Sequence, residues 1–434
     1  MIRSVTKKLF NRTVFFLADT LGFWRYPYEG YYNTRKSRIA RWYWTYKSDK
    51  PITRATKGSG LEAYFAERQG QADQSLLPEG FRIEYGIGIS AVGDLMRATG
   101  LGNSKEQFYA KVADSIFGSD ISFANLESTV INIDDCEKGL HVNITADEFN
   151  ALKGHQGRQY TVFSTANNHI LDGGMKGIVD THERLIAEGI HFVGTNRSRE
   201  DQDKGLIIES SGVRIGFVAA TYGVNDKPFP KGEDYLVNVV PFHDLKENTD
   251  LSLLDDQIAW CRSQNCDCVI VSLHWGLEFE FFPRTYQVDI AHQLAERGAD
   301  ALISHHTHNL QPYEIYQTQR DPDRKVPIFY GLGNLSSWSS AACRSLSLIT
   351  KFRIAKGRID GVEKTLVKDV SMISVLQMKY ESETGPYLQL EVLGALMESG
   401  YDNGKQEYIN DATRYADLIL GKSWRDERQW RHKS

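Results

Sequence analysis

Three histidines lie within one stretch of four residues, at His305, His306 and His308, directly after an apolar run of strand length. In an extended or tightly turned backbone, residues i and i+2 point to the same side. His306 and His308 are therefore expected to approach one metal ion at about 2.0–2.1 Å, as zinc-type sites require. His305 points the other way and is expected to have a structural or supporting role. The stretch predicts a metal site.

Similar groups follow other apolar runs, where strands are expected to end, at Asp94, Asn125, Glu127, Asn168 and His274. Ligands of α/β folds bind at the carboxyl ends of the strands, so these side chains are expected to meet at one edge of a sheet. Taken alone, Asp94 is more simply a turn cap and His274 a half-buried imidazole. Taken together, their oxygen and nitrogen donors predict a site for a hard or borderline divalent metal.

A polar loop containing Asn167, Asn168, His169 and Asp172 follows another strand-like run. His169 is a candidate metal ligand or general acid. Asn168 is a candidate to supply a metal oxygen or to donate a hydrogen bond to a substrate oxyanion. Asp172, three residues after His169, is expected to accept the ring N–H and fix the tautomer. The simpler alternative is a turn-rich loop that only connects two elements.

Two further polar residues are expected to line the same pocket. Glu278 follows His274 by four residues, and Asn334 follows the run Gly331-Leu332-Gly333. The glycines of this run permit close approach of the backbone. The run lacks the helix start and the lysine of a nucleotide phosphate loop, so we do not expect one here.

The composition is that of an ordinary soluble protein. The chain has 434 residues, a net charge of −5, 41% hydrophobic residues and 25% charged residues. This length fits two domains or one large domain with extensions. The five cysteines, Cys136, Cys261, Cys266, Cys268 and Cys343, lack a disulfide-like spacing, and free thiols point to a reducing compartment. Cys266 and Cys268 open an apolar run, so we expect them to be buried thiols rather than metal ligands.

The first 60 residues differ in charge from the rest. They hold 13 Lys/Arg against 3 Asp/Glu, together with 13 aromatic residues. A basic aromatic segment suits a surface of anionic lipid or an anionic polymer. The alternative is an extension that packs on the main domain through its aromatic side chains. Nucleic acid is not expected, because the remainder is acidic. No signal peptide or transmembrane helix is seen, which predicts a cytoplasmic or peripheral membrane protein.

The organisation along the chain predicts an alternating α/β domain over residues 81–375, after a basic aromatic extension and linker over 1–80 and before a helical extension over 376–434. Within this scheme, residues 48–80 are expected to be the linker, with a short helix from Leu61 to Arg68. Helical periodicity covers Lys105 to Phe117 and three later segments, and the tail from about 384 is expected to be helical. Late strands alternate polar and apolar residues and predict antiparallel pairing.

Taken in order, the motifs resemble those of the CapA-type family, the poly-gamma-glutamate capsule biosynthesis branch of the calcineurin-like metallophosphoesterase superfamily. The resemblance covers about residues 83–340 and rests on Gly93-Asp94, Asn125-Leu126-Glu127, Ala166-Asn167-Asn168-His169 with Asp172, His274-Trp275-Gly276 with Glu278, His306-Thr307-His308 and Tyr330-Gly331-Leu332-Gly333-Asn334. It implies a four-layer αββα sandwich with one or two Mn, Zn or Fe ions at the edge of the sheets.

The resemblance also implies roles for the residues. The metal ligands would be Asp94, Glu127, Asn168, His274, His306 and His308. His169 would be the catalytic histidine, supported by Asp172. The substrate-binding candidates are Asn125, Asn167, Glu278 and Asn334. The chain departs from the wider superfamily at Met96, where that superfamily has a histidine, so one of the two metals is expected to be weak or absent. Glu127 stands in place of a bridging aspartate.

These expectations lead to a metal-dependent hydrolase or transferase that acts on phosphoesters or glutamyl amides. Its role would be the synthesis, release or export of an anionic extracellular polymer such as poly-gamma-glutamate, alongside other capsule-synthesis proteins. Two alternatives stay open. One is an assembly factor that binds polymer or metal without turnover, which the missing histidine favours. The other is a nucleotide phosphodiesterase.

Overall fold

The computed structural model describes residues 15, 18, 20–30, 33–131, 142–242, 249–337, 339, 341–399 and 405–425. Cys136 and the charged end of the chain from residue 426 lie outside the described residues. The four described cysteines, Cys261, Cys266, Cys268 and Cys343, are buried free thiols, which confirms the prediction of buried thiols at Cys266 and Cys268.

Two β-sheets form the framework of the fold. The strands, in chain order, are β1 Arg82–Leu95, β2 Ile121–Leu126, β3 Gly154–His155, β4 Arg158–Gln159, β5 Val162–Ser164, β6 His191–Val193, β7 Leu206–Ser210, β8 Val213–Thr221, β9 Cys268–His274, β10 Ala301–His305, β11 Tyr313–Gln317, β12 Lys325–Phe329, β13 Asn334–Ser336, β14 Leu346–Ile359, β15 Val362–Ser382 and β16 Gly385–Val392.

The first sheet has eight strands in the order β16-β15-β14-β1-β2-β5-β6, with β13 paired to β1. Strands β1, β2, β5 and β6 run parallel. Strands β14 and β15 pair antiparallel, as the alternation of polar and apolar residues predicted, and β16 pairs antiparallel with β15. The second sheet has the order β11-β12-β10-β9-β8-β7, and its strands β8, β9, β10 and β12 are parallel. Each sheet therefore has a parallel half whose carboxyl ends carry the predicted site.

The two sheets share one hydrophobic core. The rings of Phe123 in β2 and Phe217 in β8 stack across it, with centroids 5.9 Å apart and planes at 5°. All seven residues of β9 are buried, which explains its nearly continuous apolar sequence, because parallel strands are covered on both faces. The fold is thus the predicted mixed α/β sandwich. The number of layers stays a prediction.

Helices connect and flank the strands. In chain order they are α1 Arg38–Asp49, α2 Leu61–Ala66, α3 Ala113–Phe117, α4 Ala146–Leu152, α5 Gly174–Ala187, α6 Arg199–Gln202, α7 Ser252–Ser263, α8 Thr285–Arg297, α9 Ala342–Ser345, α10 Leu393–Ser399 and α11 Gln406–Leu420. Among these helices of the described residues, none combines the length and the apolar composition needed to cross a bilayer.

Three predicted elements differ in the structure. The helix expected from Lys105 begins only at Ala113, because the backbone before it closes successive i to i+3 turns, such as that from the N–H of Val112 to the carbonyl of Tyr109. The tail expected to be helical from 384 first forms β16, in which buried Leu388 and Leu390 alternate with partly exposed neighbours. This period of two belongs to a strand that pairs with β15.

The third difference concerns residues 48–80. They do not form an open linker, because Leu61, Phe65 and Leu76 are buried in the main core. Helix α2 falls inside the short helix expected from Leu61. The domain boundaries themselves stay predictions.

Helix α1 packs on the main domain through a buried carboxylate, Glu280. The hydroxyl of Tyr43 donates to Glu280 at 2.8 Å, Nζ of Lys47 lies 3.5 Å from it, and Nε of Arg284 donates to it at 2.7 Å. Burial alone would raise the pKa of Glu280, but the charges of Arg284 and Lys47 outweigh burial and lower it. The described part of the extension therefore packs on the main domain, as the alternative to a lipid-binding segment predicted.

Some large apolar side chains of the extension remain exposed, at Leu21, Phe23, Ile39 and Trp42. Contact of residues 1–60 with anionic lipid stays a prediction.

Candidate metal centre

The carboxyl ends of four parallel strands bring the predicted ligands together. Asp94 lies near the end of β1, Glu127 follows β2, His274 ends β9, and His306 and His308 follow β10. Two groups each place three ligand atoms within 4.8 Å of one another, namely Glu127 with His274 and His306, and Asp94 with Glu127 and His308. Glu127 belongs to both groups, so either group could hold a metal ion with Glu127 among its candidate ligands.

Glu127 is the most informative member of the centre. Its side chain is fully buried, and among the described residues neither carboxylate oxygen has a hydrogen-bond partner. Nε2 of His274 is 3.6 Å from Oε1, and Nδ1 of His308 is 3.8 Å from Oε2. Burial, and then the charge of Asp94, raise the pKa of Glu127 well above its ordinary value. A buried carboxylate that faces imidazoles without bonding to them fits a cation between them.

Asp94 accepts two hydrogen bonds and lies beside an imidazole. Nδ2 of Asn125 donates to Oδ1 at 2.8 Å, Nδ1 of His305 lies 3.1 Å from Oδ1, and the backbone N–H of His306 donates to Oδ2 at 3.2 Å. Burial alone would raise the pKa of Asp94, but His305 and the other imidazoles outweigh burial and hold the pKa well below its ordinary value. Asp94 is therefore an oriented carboxylate. His305 supports it, as expected from its direction in the sequence.

His274 is fixed on both ring nitrogens. Nε2 lies 2.8 Å from Oδ1 of Asn168, and Nδ1 lies 3.2 Å from Nδ2 of Asn125. Burial, and then the charge of His306, lower the pKa of His274 well below its ordinary value. The ring is therefore neutral, which is the form that binds metal.

His306 and His308 lie on a tightly curled backbone. Their φ angles are +85° and +56°, in a region that residues other than glycine rarely adopt. The ring centroids are 5.9 Å apart. Such strain persists where the surrounding structure over-determines it, and it clusters at functional sites. The curl brings both rings to the edge of the sheets, where His306 and His308 belong to different groups of candidate ligands. Their binding to one shared ion, which the spacing of two predicted, stays a prediction.

Met96 is buried two residues after Asp94. Its backbone carbonyl accepts a hydrogen bond from the hydroxyl of Ser336 at 2.6 Å. A thioether is a poor ligand for a hard ion. The imidazole that lies beside Asp94 is His305, which comes from the other sheet.

His169 and Asp172 form the predicted pair. Nδ1 of His169 is 2.7 Å from Oδ2 of Asp172, and Nζ of Lys227 is 3.2 Å from Oδ1. Burial alone would raise the pKa of Asp172, but His169 and Lys227 outweigh burial and lower it. Asp172 is thus an ionised acceptor for the ring. The catalytic role of the pair stays a prediction.

The four predicted substrate-binding residues occupy different positions. Asn125 is buried between Asp94 and His274, and Asn167 is buried with its amide donating to the carbonyl of Leu126 at 2.8 Å. Both side chains hold the framework of the centre. Oδ1 of Asn334 lies 3.0 Å from Nδ1 of His308, so Asn334 also positions a ligand.

Glu278 faces a cavity of about 850 Å³ beside the centre, with Oε2 4.0 Å from Nε2 of His306. The cavity is lined by Tyr28, Glu29, Gly30, Asn33, Thr34, Arg35, Thr56, Tyr222, Gly223, Val224, Asn225, Asp226, Val239, Leu277, Glu278, Arg284, Thr285, Tyr286 and His306.

Tyr222 is a cavity residue that the sequence analysis missed. It directly follows β8, its backbone N–H donates to the carbonyl of His274 at 3.0 Å, and its ring centroid is 4.6 Å from that of His306. Its position at a strand end is the signal that could have found it. The N-terminal lining residues carry no such signal.

Two packed sheets with buried imidazoles and carboxylates at their carboxyl ends define a metallophosphoesterase-like α/β sandwich. The chain belongs to the family described as bacterial capsule synthesis protein PGA_cap, whose model matches residues 88–338.

Named relatives agree with this membership. The chain is 29% identical over 260 residues to the PGA biosynthesis protein CapA of Bacillus subtilis, covering 57% of this chain and 62% of the relative. It is 25% identical over 284 residues to the capsule biosynthesis protein CapA of Bacillus anthracis, covering 61% and 63%. A probable polyglutamine synthesis accessory protein of Mycobacterium tuberculosis is 27% identical over 231 residues, covering 50% and 55%. The chain thus spans less than two thirds of the length of these relatives.

Proposed function

We propose that this protein is a metal-dependent hydrolase or transferase in the synthesis, release or export of an anionic capsule-type polymer such as poly-gamma-glutamate. Glu127 carries the proposal. Its carboxylate is buried and makes no hydrogen bond within the described residues, while His274 and His308 face it at 3.6 and 3.8 Å. Leaving such a group unpaired would be costly, and a bound divalent cation removes that cost.

The neighbouring residues have complementary tasks. A divalent ion such as Mn²⁺, Zn²⁺ or Fe²⁺, when bound here, activates water and neutralises charge on a substrate oxygen. His169 donates its Nδ1–H to Asp172, and this leaves Nε2 for proton transfer to the leaving group. Asn168 holds the ring of His274 through its amide oxygen, and the same oxygen would be a further candidate ligand for the ion.

The polymer comes from the relatives, whose names refer to capsule, PGA and polyglutamine synthesis. We infer that this chain acts alongside other capsule-synthesis proteins on a related anionic polymer. The donor set serves phosphoester and glutamyl-amide bonds alike, because both reactions develop charge on an oxygen that a cation stabilises.

Metal analysis of the purified protein tests the first half of the proposal. The wild type is expected to hold one or two divalent ions per chain after supplementation with Mn²⁺ or Zn²⁺, and His308→Ala is expected to lose metal. His191→Ala, at an exposed position in β6, is the matched control and keeps the wild-type content. A wild type without bound metal, in protein shown to be folded by circular dichroism, would refute the proposal.

Turnover tests the second half. A generic phosphoester and a γ-glutamyl amide are offered to the metal-loaded protein, with His306→Ala as the inactive comparison. Activity on either substrate that disappears in His306→Ala supports catalysis.

A second candidate function is a non-catalytic assembly factor, which the buried Met96 favours because it removes an imidazole from the centre. Metal binding without turnover of esters or amides would select this candidate.

A further inference from the structure

The cavity beside the metal centre has a wall that comes from outside the family match. Tyr28, Glu29, Asn33 and Arg35 line the same cavity as His306, whereas the family match begins at residue 88. This chain therefore builds part of the cavity from its own N-terminal segment. We define the segment 28–35, without the undescribed residues 31 and 32, as the N-terminal wall.

Two direct contacts fasten the N-terminal wall to the loops of the main domain. Nη2 of Arg284 donates to the carbonyl of Tyr28 at 3.1 Å, and Nδ2 of Asn33 donates to Oδ2 of Asp226 at 3.3 Å. Helix α1, which follows the wall, adds a third contact closer to the centre. There Nε1 of Trp44 donates to Oε1 of Glu278 at 3.3 Å.

The two arginines that line the cavity differ in their ion pairs. Arg284 contacts Glu280 at 2.7 and 2.9 Å, so its charge is neutralised. Arg35 is exposed, and no ion pair of its guanidinium is found in the described part of the chain. Its backbone is nevertheless fixed, because its N–H donates to Oδ1 of Asn33 at 3.0 Å and its carbonyl accepts from Arg41 at 3.1 Å. Arg35 thus presents a cation from an anchored turn.

The remaining lining charges are acidic. Glu29, Asp226 and Glu278 surround the same space, and they repel additional negative charges of a ligand. The volume of about 850 Å³ lies within the range of small-molecule sites. These features favour a short anionic ligand that places one of its carboxylates at Arg35 over a long polyanion laid through the cavity.

We propose that the N-terminal wall selects the end of a glutamyl chain, and that Arg35 binds a carboxylate of that end while the adjacent bond lies at the metal centre. This inference rests on the proposed function, because it takes the glutamyl polymer from there. It specifies that the end of the polymer enters the cavity and that Arg35 recognises this end.

Calorimetric titration of the metal-loaded full chain with γ-glutamylglutamate tests the inference. Arg35→Glu is expected to weaken binding about tenfold or more, because a charge-assisted hydrogen bond is replaced by repulsion. Lys36→Glu is the matched control. It makes the same change of charge one residue away, at an exposed position that does not line the cavity, and it is expected to change the affinity less than about twofold.

The outcomes separate the two proposals. Equal weakening in both variants, no weakening in Arg35→Glu, or no binding of the dipeptide to the wild type would each overturn the inference. Tighter binding of pyrophosphate than of the dipeptide would overturn the glutamyl assignment. Dipeptide binding that depends on Arg35 without turnover upholds this inference and contradicts the hydrolase. Turnover with an unchanged KM in Arg35→Glu supports the hydrolase and overturns the role of Arg35.

Discussion

Oδ1 of Asn334 lies 3.0 Å from Nδ1 of His308, although 26 residues separate them. The same Nδ1 lies 3.7 Å from Oδ2 of Asp94 and 3.8 Å from Oε2 of Glu127. Asn334 is itself fixed, because its amide donates to the carbonyl of Arg344 at 3.1 Å. One amide therefore decides how His308 faces the two carboxylates.

Replacing Asn334 by alanine is expected to weaken metal binding about 10–100-fold, as for other residues that orient a metal-binding histidine. Competition with a chromogenic chelator measures the affinity. Asn410→Ala, at an exposed position of α11, is a suitable control. An unchanged affinity in Asn334→Ala would mean that the ring of His308 needs no support from this amide.

Replacing Asp172 by asparagine is expected to lower turnover about 100-fold or more while the metal content stays the same. The amide keeps the shape but cannot stabilise the protonated ring of His169 as the carboxylate does. Rates are measured with the substrate identified in the turnover test, across a range of pH. Asp180→Asn, whose partner is the exposed Lys176, controls for the loss of one surface charge. Loss of metal in Asp172→Asn would instead indicate a role in building the centre.

Replacing Gly93 by alanine is expected to destabilise the fold by about 1–3 kcal/mol and to lower metal affinity. A Cβ atom at this position would lie 1.9 Å from the carbonyl oxygen of Gly333, and the N–H of Asp94 donates to that same oxygen. Thermal denaturation measures the effect. Gly102→Ala is the control, since its added Cβ meets nothing within 4 Å. Equal melting temperatures for the two variants would show that β1 and the Gly333 turn can move apart freely.

Glu314 is expected to make stability depend on pH. It is buried and accepts hydrogen bonds from His292 at 2.8 Å and from Tyr330 at 2.6 Å. Burial alone would raise the pKa of Glu314, but the bonds from His292, Tyr330 and Tyr64 outweigh burial and lower the pKa below the ordinary 4.5. A lowered pKa means that this stabilisation is complete above pH 4.5 and disappears as the pH falls through the lower, folded value.

Glu314→Gln is accordingly expected to lose about 2–3 kcal/mol of unfolding free energy at pH 7, and less at pH 4 and below. Chemical denaturation at a series of pH values gives the difference. The exposed Glu383→Gln serves as the control. A loss that is the same at pH 7 and at acid pH would show that the charge of Glu314 is not what stabilises the fold.

Much of the metal centre could be predicted from the sequence, because parallel strands place whatever follows them at one edge. Asp94, Glu127, His274 and His308 meet there for this reason. The order of the strands did not predict which of the neighbouring amide side chains would contact a candidate metal ligand. Asn125 and Asn167 are buried and hydrogen-bonded to Asp94 and to the carbonyl of Leu126, and their binding of substrate stays a prediction.

The local spacing of apolar residues did not predict the structure where pairing between distant strands determines it. The tail from about 384 was expected to be helical, but residues 385–392 pair with β15 over their whole length, and the helix begins only at Leu393. The linker expected before residue 80 contains too few apolar residues to suggest a core, yet Phe65 packs edge to face on Tyr330 at 5.4 Å. Contacts between positions this far apart leave no signal in a single sequence, and the same holds for the hydrogen bond from Nε1 of Trp44 to Glu278.

The carboxylate that joins helix α1 to the rest of the molecule limits how the protein can be dissected. A fragment trimmed to the family match would retain Glu280 and Arg284 but lose Tyr43 and Lys47. It would expose to solvent the surface that helix α1 buries. Expression trials of shortened versions should therefore keep everything from the first aromatic residues of the extension onward. Insolubility of a shorter fragment would then reflect the cut itself and would carry no information about the proposed function.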